Sequence, residues 1–173
     1  VPHIGEEGAL QIHWAILKDF SALWKKLERK EKSISIYVFY DLPKGIAKEQ
    51  GETALNCLKT LFPKANFQRQ EGKDIFDKME NAFRYSFSGG TSFSYLVGAD
   101  IPFMEAEHFQ RVFALGRKGR QVLGASLDEG YYGIGLQRRI EPELLHACFS
   151  YQAVQENRTI LAASTLRNGR SMP

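Results

Sequence analysis

Cysteine is scarce in this chain. Cys57 and Cys148 are the whole complement of 173 residues, each in an apolar helical setting, with no CxxC spacing and no histidine series nearby. That excludes a disulfide scaffold or a zinc ribbon and fits a reduced, cytoplasmic chain. No apolar run approaches the roughly 18 residues that cross a bilayer, and no charged segment leads a short apolar stretch at the start, so neither a membrane span nor a targeting segment is expected. Charge of one sign is also thin. The net charge is +3 and the basic residues are scattered, except at Lys25-Lys26 and between Arg117 and Arg120, so no nucleic-acid partner is expected. The GxSxG elbow, the GxxxxGK[ST] loop and a GxGxxG turn after a first strand are all missing, which removes the commonest hydrolase, P-loop and dinucleotide signals. His3, His13, His108 and His146 have no partner acid at ligand spacing, and they read as surface or helix-packing residues.

What is present is ordinary globular composition, with 43% hydrophobic and 25% charged residues. A chain of this length buries one sizeable core, so residues 1–173 are expected to form a single domain. It opens on Val1 and closes on NGRSMP, and the expectation is a domain trimmed at both ends.

Periodicity gives the elements. Between Gly8 and Glu31, Leu10, Trp14, Leu17, Phe20, Trp24 and Leu27 recur at steps of three and four, which makes one helical stripe that should pack on a sheet. Ser33 to Tyr40 is β-branched and aromatic on both alternating sets and reads as a strand covered on both faces. Further helices are predicted over 48–62, 74–87 (Ile75, Met79, Ala82 and Phe83 inward), 105–115, 141–147 and 152–164. Further strands are predicted over 66–70, 92–100, 121–125 and 131–136. Strands alternating with helices argue for an α/β fold with a mostly parallel sheet and helices on both faces.

Three segments can carry chemistry. In VGADIP, Asp100 stands just past a predicted strand, where a carboxylate can hold a hard cation; the alternative is an Asp capping a turn. In QEGKDIFDKM, the turn at Gln70 and Gly72 leads into a helix whose free amides can meet an anion or a base edge; the alternative is a plain helix start capped by Asp74. LGASLDEGYYGIGL combines the acid pair Asp128 and Glu129 with Gly130, Gly133 and Gly135, glycine allowing close backbone approach or positive φ and the tyrosines a stacking ring with a hydroxyl. Here the alternative is an ordinary β-turn.

Taken in order, VPHIGEEGAL, QEGKDIFDKMENAF, VGADIP and LGASLDEGYYGIGL resemble the bacterial family of selenodomain-associated transferase 1, within the nucleotide-diphospho-sugar transferases. The resemblance spans nearly the whole chain. It implies a Rossmann-like GT-A three-layer sandwich and a nucleotide or nucleotide-sugar ligand, with Mg²⁺ or Mn²⁺ as cofactor. By this resemblance Asp100 and Asp128 hold the metal, and Gln70, Gly72, Gly98, Gly124, Gly130 and Tyr131 surround the nucleotide and sugar. The acceptor is a small molecule that the residues do not identify.

The chain also departs from the family. The buried first strand and its basic loop ending in Lys-Thr-Arg-Leu, expected before Pro2, are not in it, so the sheet should have a gap. Phe76 and Glu129 stand where the family has glycine. The implied function is a metal-dependent glycosyltransferase; the alternatives are a catalytically degenerate nucleotide-binding or protein-interaction module and a nucleotidyltransferase acting on an NTP.

Overall fold

The computed structural model describes residues 4–31, 33–102, 104–126 and 131–139. The first apolar stripe winds a long helix, α1 (Gly5–Lys30), with Glu6 and Glu7 in its first turn and Arg29 and Lys30 in its last, the charge order that complements a helix dipole. There follow β1 (Tyr37–Tyr40), α2 (Lys48–Leu61), β2 (Asn66–Arg69), α3 (Ile75–Ser88), β3 (Phe93–Val97), α4 (Ala106–Arg117), β4 (Val122–Ala125) and β5 (Tyr131–Gln137). The helices predicted over 141–147 and 152–164 lie outside the described residues, as do Cys148, His3 and His146.

The mostly parallel sheet is corrected. Among the described residues there are two separate sheets, a two-stranded β1-β2 and a three-stranded β3-β5-β4. The first is parallel, Tyr37 facing Asn66, as a strand–helix–strand crossover requires. In the second, β5 is antiparallel to both neighbours. β3 and β4 therefore run the same way, as their linking helix demands, but β5, next in sequence after β4, takes the place between them. Strand lengths are corrected too: the segment from Ser33 enters a ladder only at Tyr37, and all four residues of β1 are half-buried rather than covered on both faces.

Alternation divides the three-stranded sheet between two apolar layers. On one face, Ile134 and Leu136 pack with Phe83 and Phe87 of α3, joined at the edge by Leu96 and Leu123. On the other, Tyr95 and Val97 meet Leu23 and Leu27 of α1 and Phe109 of α4. Two predicted inward residues are not inward: Leu10, early in α1, is 56% exposed, and Ile75, the first residue of α3, is 59% exposed.

Four hydrogen bonds clamp the layers. Ser86 and Ser94 share a hydroxyl hydrogen bond of 2.6 Å between α3 and β3. Gln137 donates its amide to the carbonyls of Gly116 and Arg120 at 2.7 and 3.1 Å, fixing β5 to the end of α4. Ser21 donates to the carbonyl of Leu61 at 2.5 Å, tying α1 to the end of α2.

Glycine makes the packing of the α4 face possible. A Cβ at Gly116 or Gly135 would stand 2.5 or 2.6 Å from the Phe93 ring, and one at Gly133 would overlap the Tyr95 phenol. The two aromatic rings lie flat across β5 because β5 has no side chains there. We predict that Gly133→Ala lowers unfolding free energy by about 1–3 kcal/mol, the usual cost of overpacking, read by urea denaturation. Adding Tyr95→Ala should make the second loss smaller than the two single losses combined; strict additivity would refute the contact.

Candidate functional site

In open α/β sheets ligands gather beyond the carboxyl ends of the strands. Between the two sheets runs a cleft of about 1400 Å³, with β1 on one side, β3 on the other, and α1 and α3 above and below. Gln70, Gly98, Asp100 and Tyr131 all line it. Gly72 and Gly124 do not. Asp128 and Gly130, with Glu129, lie outside the described residues.

Each of these residues has a local reason for its position. Gln70 follows β2, its N–H donating to the Tyr40 carbonyl at 2.7 Å, and its side-chain amide crosses to donate to the Phe39 carbonyl at 3.2 Å. It therefore caps the end of β1. Gly98 leaves β3 by donating to the Tyr132 carbonyl at 3.3 Å, and a Cβ there would stand 2.7 Å from Asp100 Oδ1. The missing side chain lets the carboxylate fold back over the strand end. Tyr131 turns toward α3, its hydroxyl donating to Met79 Sδ at 3.6 Å, and burial raises its pKa above the ordinary 10.0.

Two charged residues at this site were not found from sequence. Asp41 follows β1 as Asp100 follows β3, and it holds the Lys78 ammonium at 2.6 Å. That ammonium, then the Leu42 N–H, hold the Asp41 carboxyl below its usual range. The signal was available, since an acid directly after an aromatic strand is the same pattern that singled out Asp100. Lys78 is one helical turn into α3 and lines the cleft.

The turn at Gly72 has another use than the one expected. Gly72 has φ of 145°, and a Cβ there would stand 2.6 Å from the Lys78 backbone nitrogen, so it lets the loop press on its own helix. Three of the amides that an anion would use are engaged by the turn's own carboxylates. Asp74 accepts from the N–H groups of Phe76 and Asp77, both at 2.9 Å, while Asp77 accepts from the Lys73 N–H at 3.1 Å. Phe76 packs on the α3-side core and leaves the cleft clear.

Gly124 is likewise a packing residue: the Tyr132 ring lies over it, 2.6 Å from where a Cβ would be. That ring is carried across by the irregular register between β4 and β5 and meets His108 at 5.5 Å. His108 shares a hydrogen bond of 3.0 Å with the Tyr95 hydroxyl, so it is the helix-packing residue expected, whereas His13 is exposed.

Chemically, the open end of the cleft offers a carboxylate, an ion-paired ammonium and an amide. Among the described residues no three His, Cys, Asp or Glu come together as a metal cage. Asp100 alone fits the looser Mg²⁺ arrangement, in which one or two carboxylates share the ion with phosphate oxygens and water. No helix among the described residues is long and apolar enough to cross a membrane.

Comparison with known proteins adds two findings. The profile of a bacterial family, described as "Uncharacterized protein conserved in bacteria (DUF2064)", matches residues 27–150. The crystal structure of a protein from Desulfovibrio desulfuricans G20, described provisionally as a nucleotide-diphospho-sugar transferase, superposes with a TM-score of 0.56 at 22% identity over 85% of this chain. The chain spans 64% of the length of that protein, and the likeness is one of fold. No curated protein matches.

Two predictions follow from the geometry. Asp74→Ala should cost about 1 kcal/mol of stability, as loss of a helix cap does, while Asp74→Ser should recover most of it; equal denaturation midpoints for all three proteins would refute the capping role. Burial, then Arg111, lower the His108 pKa from its ordinary 6.5, so the unfolded chain binds the proton first as pH falls. The stability His108 gives is thus complete above pH 6.5 and declines as pH drops through 6.5 toward the folded-state value,. Subtracting the His108→Gln curve from the native one should isolate that decline, and parallel curves would refute it.

Proposed function

The chain belongs to the bacterial DUF2064 family through residues 27–150, and from that premise we propose that it is a cytoplasmic transferase of the selenodomain-associated type, taking a nucleotide-diphospho-sugar at the carboxyl ends of β1 and β3. One observation carries the reading: Gln70, Gly98, Asp100 and Tyr131, picked from segments far apart in sequence, line a single cleft. The provisional description of the solved neighbour agrees with it.

In this reading Asp100 holds Mg²⁺ or Mn²⁺, with Asp128 as its second carboxylate. The bound cation supplies charge neutralisation on a diphosphate leaving group. The chain's own residues do the rest. Lys78, oriented by Asp41, places a positive charge at the mouth for phosphate oxygens. Gln70 keeps its side chain extended at the mouth through the Phe39 carbonyl, which presents the amide edge to a base. Tyr131 offers its ring face, its hydroxyl being engaged by Met79.

A second reading, a binding module without turnover, is favoured by a specific observation: two amino-terminal amides of α3, those of Phe76 and Asp77, are occupied by Asp74. Calorimetric titration with UDP-, GDP- and CDP-sugars, with and without Mn²⁺, tests the ligand class. One nucleotide should bind with a metal requirement, and Asp100→Ala should weaken it by about tenfold or more, the loss of one charged contact. Binding that ignores both metal and Asp100→Ala would refute the site. Release of free nucleoside diphosphate separates transfer from mere binding, and pyrophosphate release from NTPs would mark nucleotidyl transfer.

A further inference from the structure

Beside the main cleft lies a smaller cavity of about 140 Å³. Ile16, Asp19, Phe20 and Leu23 form one wall, spaced i, i+3, i+4 and i+7, which puts all four on one stripe of α1. Ile101, Pro102 and Met104, from the connection that follows Asp100, form the other. Phe20, Leu23, Ile101 and Pro102 also line the main cleft, so the two spaces are neighbours across a shared wall. The small cavity therefore begins one residue past the acid that the proposed transferase uses for its cation.

Asp19 is out of place in this wall. Every other lining side chain is apolar, and a carboxylate among them calls for a cation. On α1 the positions three and four residues away, where an ion pair forms, are Ala15, Ile16, Ala22 and Leu23. None is basic. Lys18, next in the chain, is turned about 100° round the helix. The facing wall carries no charge, and Asp100 and Glu105, which flank it, have the same sign as Asp19. Among the described residues the ion pairs leave Asp19 out. Size narrows the ligand further. A cavity of about 150 Å³ accommodates a benzene ring, so this one takes a body of about six carbons.

We propose that this cavity is the second-substrate pocket for a compact primary ammonium compound, its apolar body held between α1 and the Ile101–Pro102 wall and its cationic head on the Asp19 carboxylate. The role as second substrate rests on the transferase reading, which puts the donor at Asp100; the chemistry of the pocket does not. Asp19 is exposed, so the head keeps part of its hydration while the body leaves water, the division an amphipathic amine favours. The phosphates of a donor are repelled by Asp19 and drawn to Lys78 in the main cleft. Charge thus sorts the two ligands into their own spaces, one by attraction and the other by repulsion.

Methionine-methyl NMR on the full chain, titrated with cyclohexylammonium, tests it. The Met104 methyl, assigned with Met104→Leu, should shift saturably, while that of Met79, which lines the main cleft, should stay still. Asp19→Asn should weaken binding by roughly three- to fivefold, the worth of an exposed ion pair. Cyclohexanol, with the body but not the charge, should bind the native protein as weakly as the amine binds that variant. Ile16→Phe, which adds bulk at a half-buried position of the wall, should remove the shift. No saturable shift at Met104, equal binding by Asp19→Asn, or the same Asp19-dependent shift from Mg²⁺ alone would overturn the proposal. Because this titration needs no nucleotide, its failure is distinct from failure of the transferase reading. Repeated with a nucleotide-sugar and Mg²⁺ bound, the amine should still bind; mutual exclusion, or a chain that binds the amine and no nucleotide, would overturn the second-substrate role.

Discussion

The constraint on which the rest of the structure depends is the backbone's need for partners. A strand carries an N–H and a C=O at every residue, and half of them point to each side. β5 satisfies both its sides, with β3 and β4 as neighbours, and it contains the most buried strand residues. Among the described residues β1 and β3 pair on one side each, and every residue of both is half-buried. The separation of the two sheets and the cleft between them follow from how the described strands pair.

A two-stranded sheet is marginal alone, so β1 and β2 must be held by other means. Tyr85 of α3 sets its ring edge against both Tyr37 and Phe39, at 6.1 and 5.9 Å between centroids. The Asp41–Lys78 pair and the Gln70 bond to Phe39 close the far end. These contacts place β1 against α3 rather than against β3. The cost is that the same residues which look suited to a ligand are already engaged in holding the strand.

The order of helices and strands was legible because apolar spacing reports it directly: α2 begins at Lys48 as expected, and Asp74 caps α3 as its composition implies. Strand direction was not. Nothing local in YYGIGL says that it returns between β3 and β4, because that choice is made by a short connection and by glycines that admit the Phe93 and Tyr95 rings from another strand. The same distance in sequence hid the site's cation. Lys78 looks like any surface lysine until α3 brings it to Asp41, and the glycines at 72 and 124 look like ligand loops until their neighbours are seen to be the chain itself. Asp100 and Gln70 were legible because their position at a strand end is a property of the nearby sequence.

The polar mouth and the apolar body of the cleft ask different things of an occupant. At the mouth, Asp100, Lys78 and the Gln70 amide reward charge and hydrogen-bonding edges. Along the body, an ion would face α1 and α3 aliphatics and be penalised by several kcal/mol for lost hydration. A nucleotide-sugar therefore has reason to stop at the strand ends, where the Phe39 carbonyl holds the Gln70 amide in place.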